Sequence, residues 1–493
     1  MSDAKSKGDK GKGKRPPTPK KFPPKASDLT SAEAKRREML EAVKVYFDVR
    51  DRAYWYRLNG RYVSLGSGDL EMHFRALGLS RNNWFESQRE TEWPLYRSQV
   101  ERMIDYAGPL AGHKVGIFQD GSNRKYLITE QAAGVFEEQS NNGVPMPKFF
   151  LAFVRELLPD DQSNYFCHWL ATALRSLRRG DYRPGQVVCL AGPAGCGKSL
   201  LQAIITEVLG GRSANPFRYM MGLTTFNRDL ASAEHWMIED PATTTDIRAR
   251  RHFGAMLKEC TVNQTFSIHQ KGKDAISLPI FRRVSISVNN EPENLAVVPP
   301  LDPSIIDKVF LFNCAMVKVA FDPYRSVDGT RSLLPETQND GELDRVKLWR
   351  DVRNEIPLIR AWLLKNFRVV PVAVRDDRFG VAAWHHPDLL SELCALAPET
   401  RLLQLIDHVC FEKATPTPWV GKSIDLEAEM RGSKFAFECE KLLRFNGACG
   451  TYLGKLARNH PKRVRKETKD GYTVWTIATP KGELPTHESK EVF

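Results

Sequence analysis

The segment VVCLAGPAGCGKSL at residues 187–200 constrains this chain more than any other stretch. An apolar run, Val187–Leu190, leads directly into Gly192-Pro193-Ala194-Gly195-Cys196-Gly197-Lys198-Ser199. An apolar helical pattern then runs from Leu200 to Leu209 and stops at Gly210-Gly211. This is GxxxxGK[ST] between a strand and a helix, the context in which that pattern has a physical meaning. The glycines let successive backbone N–H groups curl around an anion, and the helix N-terminus adds the positive end of a dipole. The segment Gly192 to Leu200 is therefore expected to hold a nucleotide. Lys198 would reach the β- and γ-phosphates, and Ser199 would ligate Mg²⁺. Cys196 sits beside the same N–H dipoles, which can lower a thiol pKa. A small residue at a tolerant loop position is the simpler reading of it.

A phosphate loop of this kind needs a carboxylate from a neighbouring strand and a group that orients the attacking water. The run HWMIEDP at 235–241 supplies an apolar strand ending in two acids. Position assigns Glu239 to the metal and Asp240 to the water, although the two roles can be exchanged. The next apolar strand, Val284–Val288, ends in Asn289-Asn290. A polar side chain at the tip of this strand, which is expected beside the phosphate-loop strand, can hydrogen-bond the γ-phosphate or the water. Asn289 lies directly at the strand end and is preferred over Asn290.

The chain has 493 residues, a soft prior for about three domains. It is 42 % hydrophobic and 27 % charged, which argues against disorder throughout and against a disulfide mini-scaffold. No apolar run approaches the roughly 20 residues of a membrane helix, and the N-terminus lacks the apolar core of a secretory signal. Nine cysteines without a metal-ligand rhythm suit a reducing, cytoplasmic setting. The net charge of +12 is uneven: residues 1–25 carry nine Lys/Arg against Asp3 and Asp9, leaving +5 for the rest. A basic tail on a nearly balanced body points to an anionic partner, with nucleic acid first, or to a solvated linker.

The fold class expected is α/β. Residues 1–28 read as a disordered basic tail and 30–150 as an α+β accessory domain. Residues 160–325 read as a P-loop ATPase domain, 330–400 as a helical connector, 400–480 as a DNA-binding module and 481–493 as a flexible tail. Within the accessory domain, a capping pattern at Thr30 and Glu33 starts a helix running to about Phe47. AYWYRL and RYVSL around Asn59-Gly60 form a hairpin, and Asp48 and Asp51 read as helix-end acids. His385-His386 invites a metal reading, but a loop turn before Pro387 is favoured.

The phosphate loop, the acidic pair and Asn289 fall within about 100 residues, and SIHQKGKDAISLPI lies between the last two. In this order the chain resembles the superfamily 3 helicases, AAA+ enzymes that replicate small viruses, phages and mobile elements. The wider layout is similar to the helicase proteins of phage and mobile-element primase-helicase modules. The resemblance implies an AAA+-type core and a hexameric ring with ATP and Mg²⁺ between subunits. Single-stranded DNA would pass through the channel. The hairpin before the sensor strand would grip it through His269, Lys271 and Lys273, as cations on a stiff ribbon can hold phosphates without reading sequence. The resemblance also implies a trans-acting arginine finger, at a position where this chain has Lys308. Lysine supplies charge without a bidentate fork. Arg250, Arg251, Arg282 and Arg283 are the alternatives.

Residues 440–478 pattern as helix, helix and hairpin, which looks like a winged helix. Lys455, Arg458, Arg463 and Arg465, with Lys462, Lys466 and Lys469, make a DNA footprint on its second helix and wing. Protein docking is the alternative. The expected function is an ATP-dependent DNA helicase acting with a primase or single-strand-binding partner and no membrane. The alternatives are a DNA-bound loader or remodeller, which the same residues serve, a P-loop phosphotransferase, against which the basic hairpin and winged helix count, and an ATP-binding scaffold whose hydrolysis is slow because Lys308 replaces the finger.

Overall fold

The computed structural model describes residues 31–137, 145–241, 247–299, 301, 303–325, 343–412, 417–469 and 471–484. The expected basic tail, most of the C-terminal tail and the side chains of Arg250 and Arg251 lie outside the described residues. The chain forms two compact units. The smaller ends at Gly108 and adds Val115–Thr129; the larger holds Pro109–Lys114 and everything from Glu130 onward. Among the described residues no helix is long and apolar enough to cross a membrane.

In the smaller unit the first helix spans Ser31–Ala42 and stops short of Phe47. Val45–Asp48 is instead a strand, because its β-branched and aromatic side chains pair antiparallel with Ala53–Leu58. The hairpin about Asn59-Gly60 forms as its residues require, with both turn positions at positive φ (48° and 81°). Asp48 is no helix-end acid. It is buried at the strand end, and Oδ1 accepts from the N–H groups of Arg50 and Asp51 at 3.0 and 3.1 Å. A second sheet joins Tyr106–Gly108, Lys125–Ile128 and Gly116–Gln119.

The larger unit is mixed α/β. Its sheet has five parallel strands in the spatial order Ser213–Ala214, His235–Glu239, Arg283–Val288, Val187–Ala191, Val309–Asn313. Val187–Ala191, a continuous apolar run, and Arg283–Val288, in which Arg283, Ser285 and Ser287 alternate with apolar residues, are buried at every position, as strands of a covered parallel sheet should be. One core cluster binds this sheet to the helices Lys148–Leu157, Gln162–Arg179, Lys198–Val208 and Arg345–Asn366. Parallel pairing puts every strand's carboxyl end on one edge. Ala191 aligns with Val288 and Asn313, and Glu239 aligns with Ser287.

The C-terminal part of this unit has its own core, including Leu402, Ile406, Tyr452, Leu456, Val464, Trp475 and Ile477. Helices Pro398–Cys410, Ser423–Arg431, Ala436–Leu442 and Ala448–Asn459 pack with a three-stranded antiparallel sheet. Tyr472–Ile477 is its centre, flanked by Val464–Lys469 and Trp419–Gly421. The hairpin was expected from sequence. The third strand was not: three residues are too few to show a period.

Candidate functional site

The loop after Val187–Ala191 is shaped by contacts only glycine tolerates. A β-carbon on Gly192 would lie 2.5 Å from the Cys314 carbonyl oxygen and 2.7 Å from its Cβ. Gly197 has φ +118°, and a β-carbon there would lie 2.9 Å from the Phe153 ring. The helix Lys198–Val208 begins directly at the loop, so its first N–H groups face the same concavity. Ala194, Gly195 and Ser199 are exposed, and Cys196 and Lys198 are buried.

Lys198 turns back over the loop. Its ammonium donates to Gly192 O (2.7 Å), Pro193 O (2.9 Å) and Asn289 Oδ1 (3.1 Å). Loop lysine and strand-tip asparagine, 91 residues apart, thus share a hydrogen bond. All three acceptors are neutral oxygens.

Glu239 and Asp240 are exposed at the same sheet edge. Asp240 turns the chain at φ +35°, and its N–H donates to Ser287 O at 3.2 Å. The acidic strand does not adjoin the loop strand, as the sequence reading had it: Arg283–Val288 lies between them. Two strand spacings separate loop and acids by roughly 10 Å, which leaves room for phosphates and bridging water.

A buried polar network missed in the sequence fixes this spacing. Gln202, on the loop helix, donates to Ile238 O at 3.2 Å and Ser285 Oγ at 2.8 Å. The Thr206 hydroxyl donates to Gln202 O and meets His235 Nδ1 at 2.7 Å, while His235 Nε2 meets Ser285 Oγ at 2.8 Å. Each ring nitrogen of His235 thus has one hydroxyl partner, Thr206 on Nδ1 and Ser285 on Nε2. Burial pushes the His235 pKa down to about 3, and the ring is neutral. Loop helix, acidic strand and Asn289 strand are therefore tied together within one residue of Glu239. Polar residues inside otherwise apolar strands were the available signal.

Cys196 and Cys314 are both free, buried cysteines. The nearby Cys314 thiol first, then the Lys198 ammonium and the N–H groups of the loop, bring the Cys196 pKa down to about 6 against the opposing effect of burial.

The hairpin expected before the sensor strand forms, as Thr265–Ile268 paired with Ile276–Pro279. Buried Asn227 straps its base, donating to Ser267 O at 2.8 Å and accepting from the His269 N–H at 2.7 Å. His269 is half-buried with its ring against Phe226; Lys271 is exposed at the tip and Lys273 half-buried.

Lys308 is buried and ion-paired with Asp307 at 2.6 Å. Arg282 is buried over Trp236 and donates to the carbonyls of Cys260 and Asn263. Arg283 is also buried, and burial brings its pKa down to about 9. Both arginines serve the core in this chain.

In the C-terminal part, Lys455 reaches both carboxylate oxygens of Glu399 at 3.3 Å, and Arg463 pairs with Asp407. Burial pushes the Asp407 pKa up, against the pull of Arg463. Arg458 is exposed and Arg465 half-buried. His385 Nε2 meets Ile306 O at 3.0 Å, and no group of three metal-ligating side chains occurs among the described residues.

A model of a family of unknown function (DUF5906) matches residues 190–302, from the phosphate loop past Asn289. No curated protein matches in sequence. The fold is similar to the A-form apo structure of the NrS-1 C-terminal region, at a TM-score of 0.50 and 14 % identity. That match covers 90 % of this chain and 98 % of that one. A second apo structure of the NrS-1 C-terminal region (305–718) matches at 0.50 and 13 % identity, with the same coverage.

Proposed function

We propose that the chain is an ATP hydrolase that works as a ring-forming DNA helicase of the superfamily 3 type. The observation that carries this reading is Lys198 shared between the phosphate loop and Asn289, with Glu239 and Asp240 on the same sheet edge. The strand order supports an AAA+-type core, because it sets the Asn289 strand between loop and acids. The three-stranded sheet and its helices support a winged-helix-like module, and the first unit is read as the α+β accessory domain.

The loop N–H groups and Lys198 bind the β- and γ-phosphates of ATP. Lys198 exchanges its carbonyl partners for phosphate oxygens, a move that costs little because those partners are neutral. A hydroxyl and a carboxylate are hard oxygen donors that suit Mg²⁺. Ser199 and Glu239 would hold the ion, which when bound neutralises charge on the phosphates. Asp240 accepts the proton of the attacking water and Asn289 orients the water or the γ-phosphate, with the roles of the two acids open to exchange. Lys271 leads the DNA contacts of the hairpin, with His269 and Lys273 beside it, while Arg458 and Arg465 lead those of the C-terminal module. The setting proposed is a hexamer replicating a phage or mobile element in the host cytoplasm, with a primase or single-strand-binding partner.

ATP hydrolysis measured with and without single-stranded DNA, alongside a forked duplex, tests this reading. DNA-stimulated turnover with strand separation is the expected result. Turnover indifferent to DNA would overturn it. One observation favours a second reading, a DNA-bound loader without processive unwinding: the finger position holds a lysine already neutralised by Asp307. Stimulation without strand separation would select that reading.

A further inference from the structure

One long helix, Arg345–Asn366, carries two charged residues that reach the ends of other helices. Its apolar side, with Leu348, Val352, Ile356, Ile359 and Leu363, is seated in the core cluster shared with the sheet and the loop helix. The Glu355 carboxylate accepts from the N–H groups of Phe149 and Phe150, both at 3.0 Å, in the first turn of the helix Lys148–Leu157. The Arg360 guanidinium is buried and donates to Val208 O at 3.0 Å and to Glu207 O, the last two carbonyls of the loop helix. Gly134 packs so closely against Nη1 of Arg360 that a β-carbon there would collide with it.

Each charge matches the helix end it meets. An anion is favoured where a helix leaves N–H groups unpaired, and a cation where it leaves carbonyls unpaired. Arginine suits the second place because its planar fork serves two carbonyls at once and keeps its proton. We propose that Arg360 and Glu355 are positioning residues of the phosphate loop. From one helix they fix the two helices that bound the loop, and so set how tightly it holds a chain of phosphates.

The two anchors converge on Gly197. Phe153, on the helix that Glu355 caps, packs its ring against Gly197, where a β-carbon would lie 2.9 Å away. Lys198 opens the loop helix at the next residue, and Arg360 closes that helix at its other end. The loop helix has 11 residues, so about 16 Å separates the guanidinium from the loop and Arg360 acts at a distance. Hydrogen bonds along every turn make so short a helix stiff, and a shift at its C-terminus is carried to the N–H groups at its start. A misplacement of about 1 Å produced in this way can cost up to about 10²-fold.

The effect on nucleotide rests on the proposed ATPase; the effect on the loop helix does not, and two measurements on the full chain read them separately. The first is steady-state ATP hydrolysis well below the melting transition. In Arg360→Ala, KM for ATP should rise roughly tenfold with kcat within about twofold, as when a grip is lost equally in ground and transition states. A residue that only stabilises the fold would lower kcat with the folded fraction and leave KM unchanged, and that result would overturn the proposal. Guanidinium ion added to Arg360→Ala should bring KM back down. Arg360→Lys keeps the charge without the fork, so its KM should lie between those of wild type and Arg360→Ala. If Arg360→Ala does not fold, an unchanged KM in Arg360→Lys overturns the proposal instead. The second measurement is amide hydrogen exchange without nucleotide. Peptides covering residues 192–208 should exchange faster in the Arg360 variant and in Glu355→Gln, while the C-terminal module stays as in wild type. Unchanged protection of 192–208 would overturn the brace even in a chain that hydrolyses ATP. Wild type without any turnover would sink the ATPase, whereas the exchange would still decide the brace.

Discussion

The phosphate-loop region and the C-terminal module both carry the cations that sequence points to, and they use them differently. Lys198 rests on the neutral carbonyls of Gly192 and Pro193, and exposed Lys271 has no ion-pair partner among the described residues. In the C-terminal module Lys455 and Arg463 face the carboxylates of Glu399 and Asp407. A cation held by carbonyls keeps its field for a ligand, but one held by a carboxylate is largely cancelled. Counting basic residues treats the two regions as equals; their partners separate them.

The largest effect should come from the loop. Lys198→Ala should lower ATP turnover by roughly 10²–10³-fold, the usual scale for removing one donor from developing charge. It should leave the melting transition in place. Normal turnover in this variant would break the phosphate-loop assignment.

The two regions should next separate in acid. The His235 pKa is depressed to about 3 by burial, so the unfolded state binds a proton that the folded state refuses. Stability from this group is complete above the ordinary histidine value and is lost as pH falls toward 3, at about 1.4 kcal/mol per pH unit. His113, lowered to about 4 by burial, adds to the same trend. Asp407 has the opposite sign: its raised pKa makes protonation favour the folded module. Limited proteolysis at pH 7 and pH 5 should show the parallel-sheet region loosening first. Loss of the C-terminal module first would contradict this.

Nucleic-acid binding sharpens the contrast further. Lys271→Ala combined with Lys273→Ala should weaken single-stranded DNA binding by about tenfold and reduce the salt slope by roughly 1.4. An unchanged slope would remove the hairpin from the interface. The smallest effect should come from Arg463→Ala, where the salt slope stays the same and the module loses on the order of 1 kcal/mol in a urea titration. A slope change of one there would mean that Asp407 yields its partner to DNA.

Much of the candidate site's backbone geometry was legible because it is local. The glycine spacing, Lys198, Ser199, the acids closing HWMIED and Asn289 closing the next strand are all set by neighbours in sequence. The Asn59-Gly60 hairpin was legible for the same reason. The C-terminal strand Trp419–Gly421 was not, because partners distant in the chain define it. The first helix ended early because Val45–Asp48 found a strand to pair with, which outweighs a weak helical propensity. The fate of Lys308, Lys455 and Arg463 was equally hidden, since only an approach in space brings a carboxylate to each.

By itself the sequence determined a phosphate loop between a strand and a helix, two acids and an asparagine at strand ends, and a basic hairpin. Each follows from backbone freedom or side-chain period over a few residues. Tertiary structure alone decided that the acidic strand lies one strand beyond the Asn289 strand, that Lys198 meets Asn289, and that Gln202, His235 and Ser285 join the three elements. It also decided which cations remain for a ligand. Strand order and charge pairing depend on contacts between residues far apart in the chain, and those form only when the sheet closes around its core.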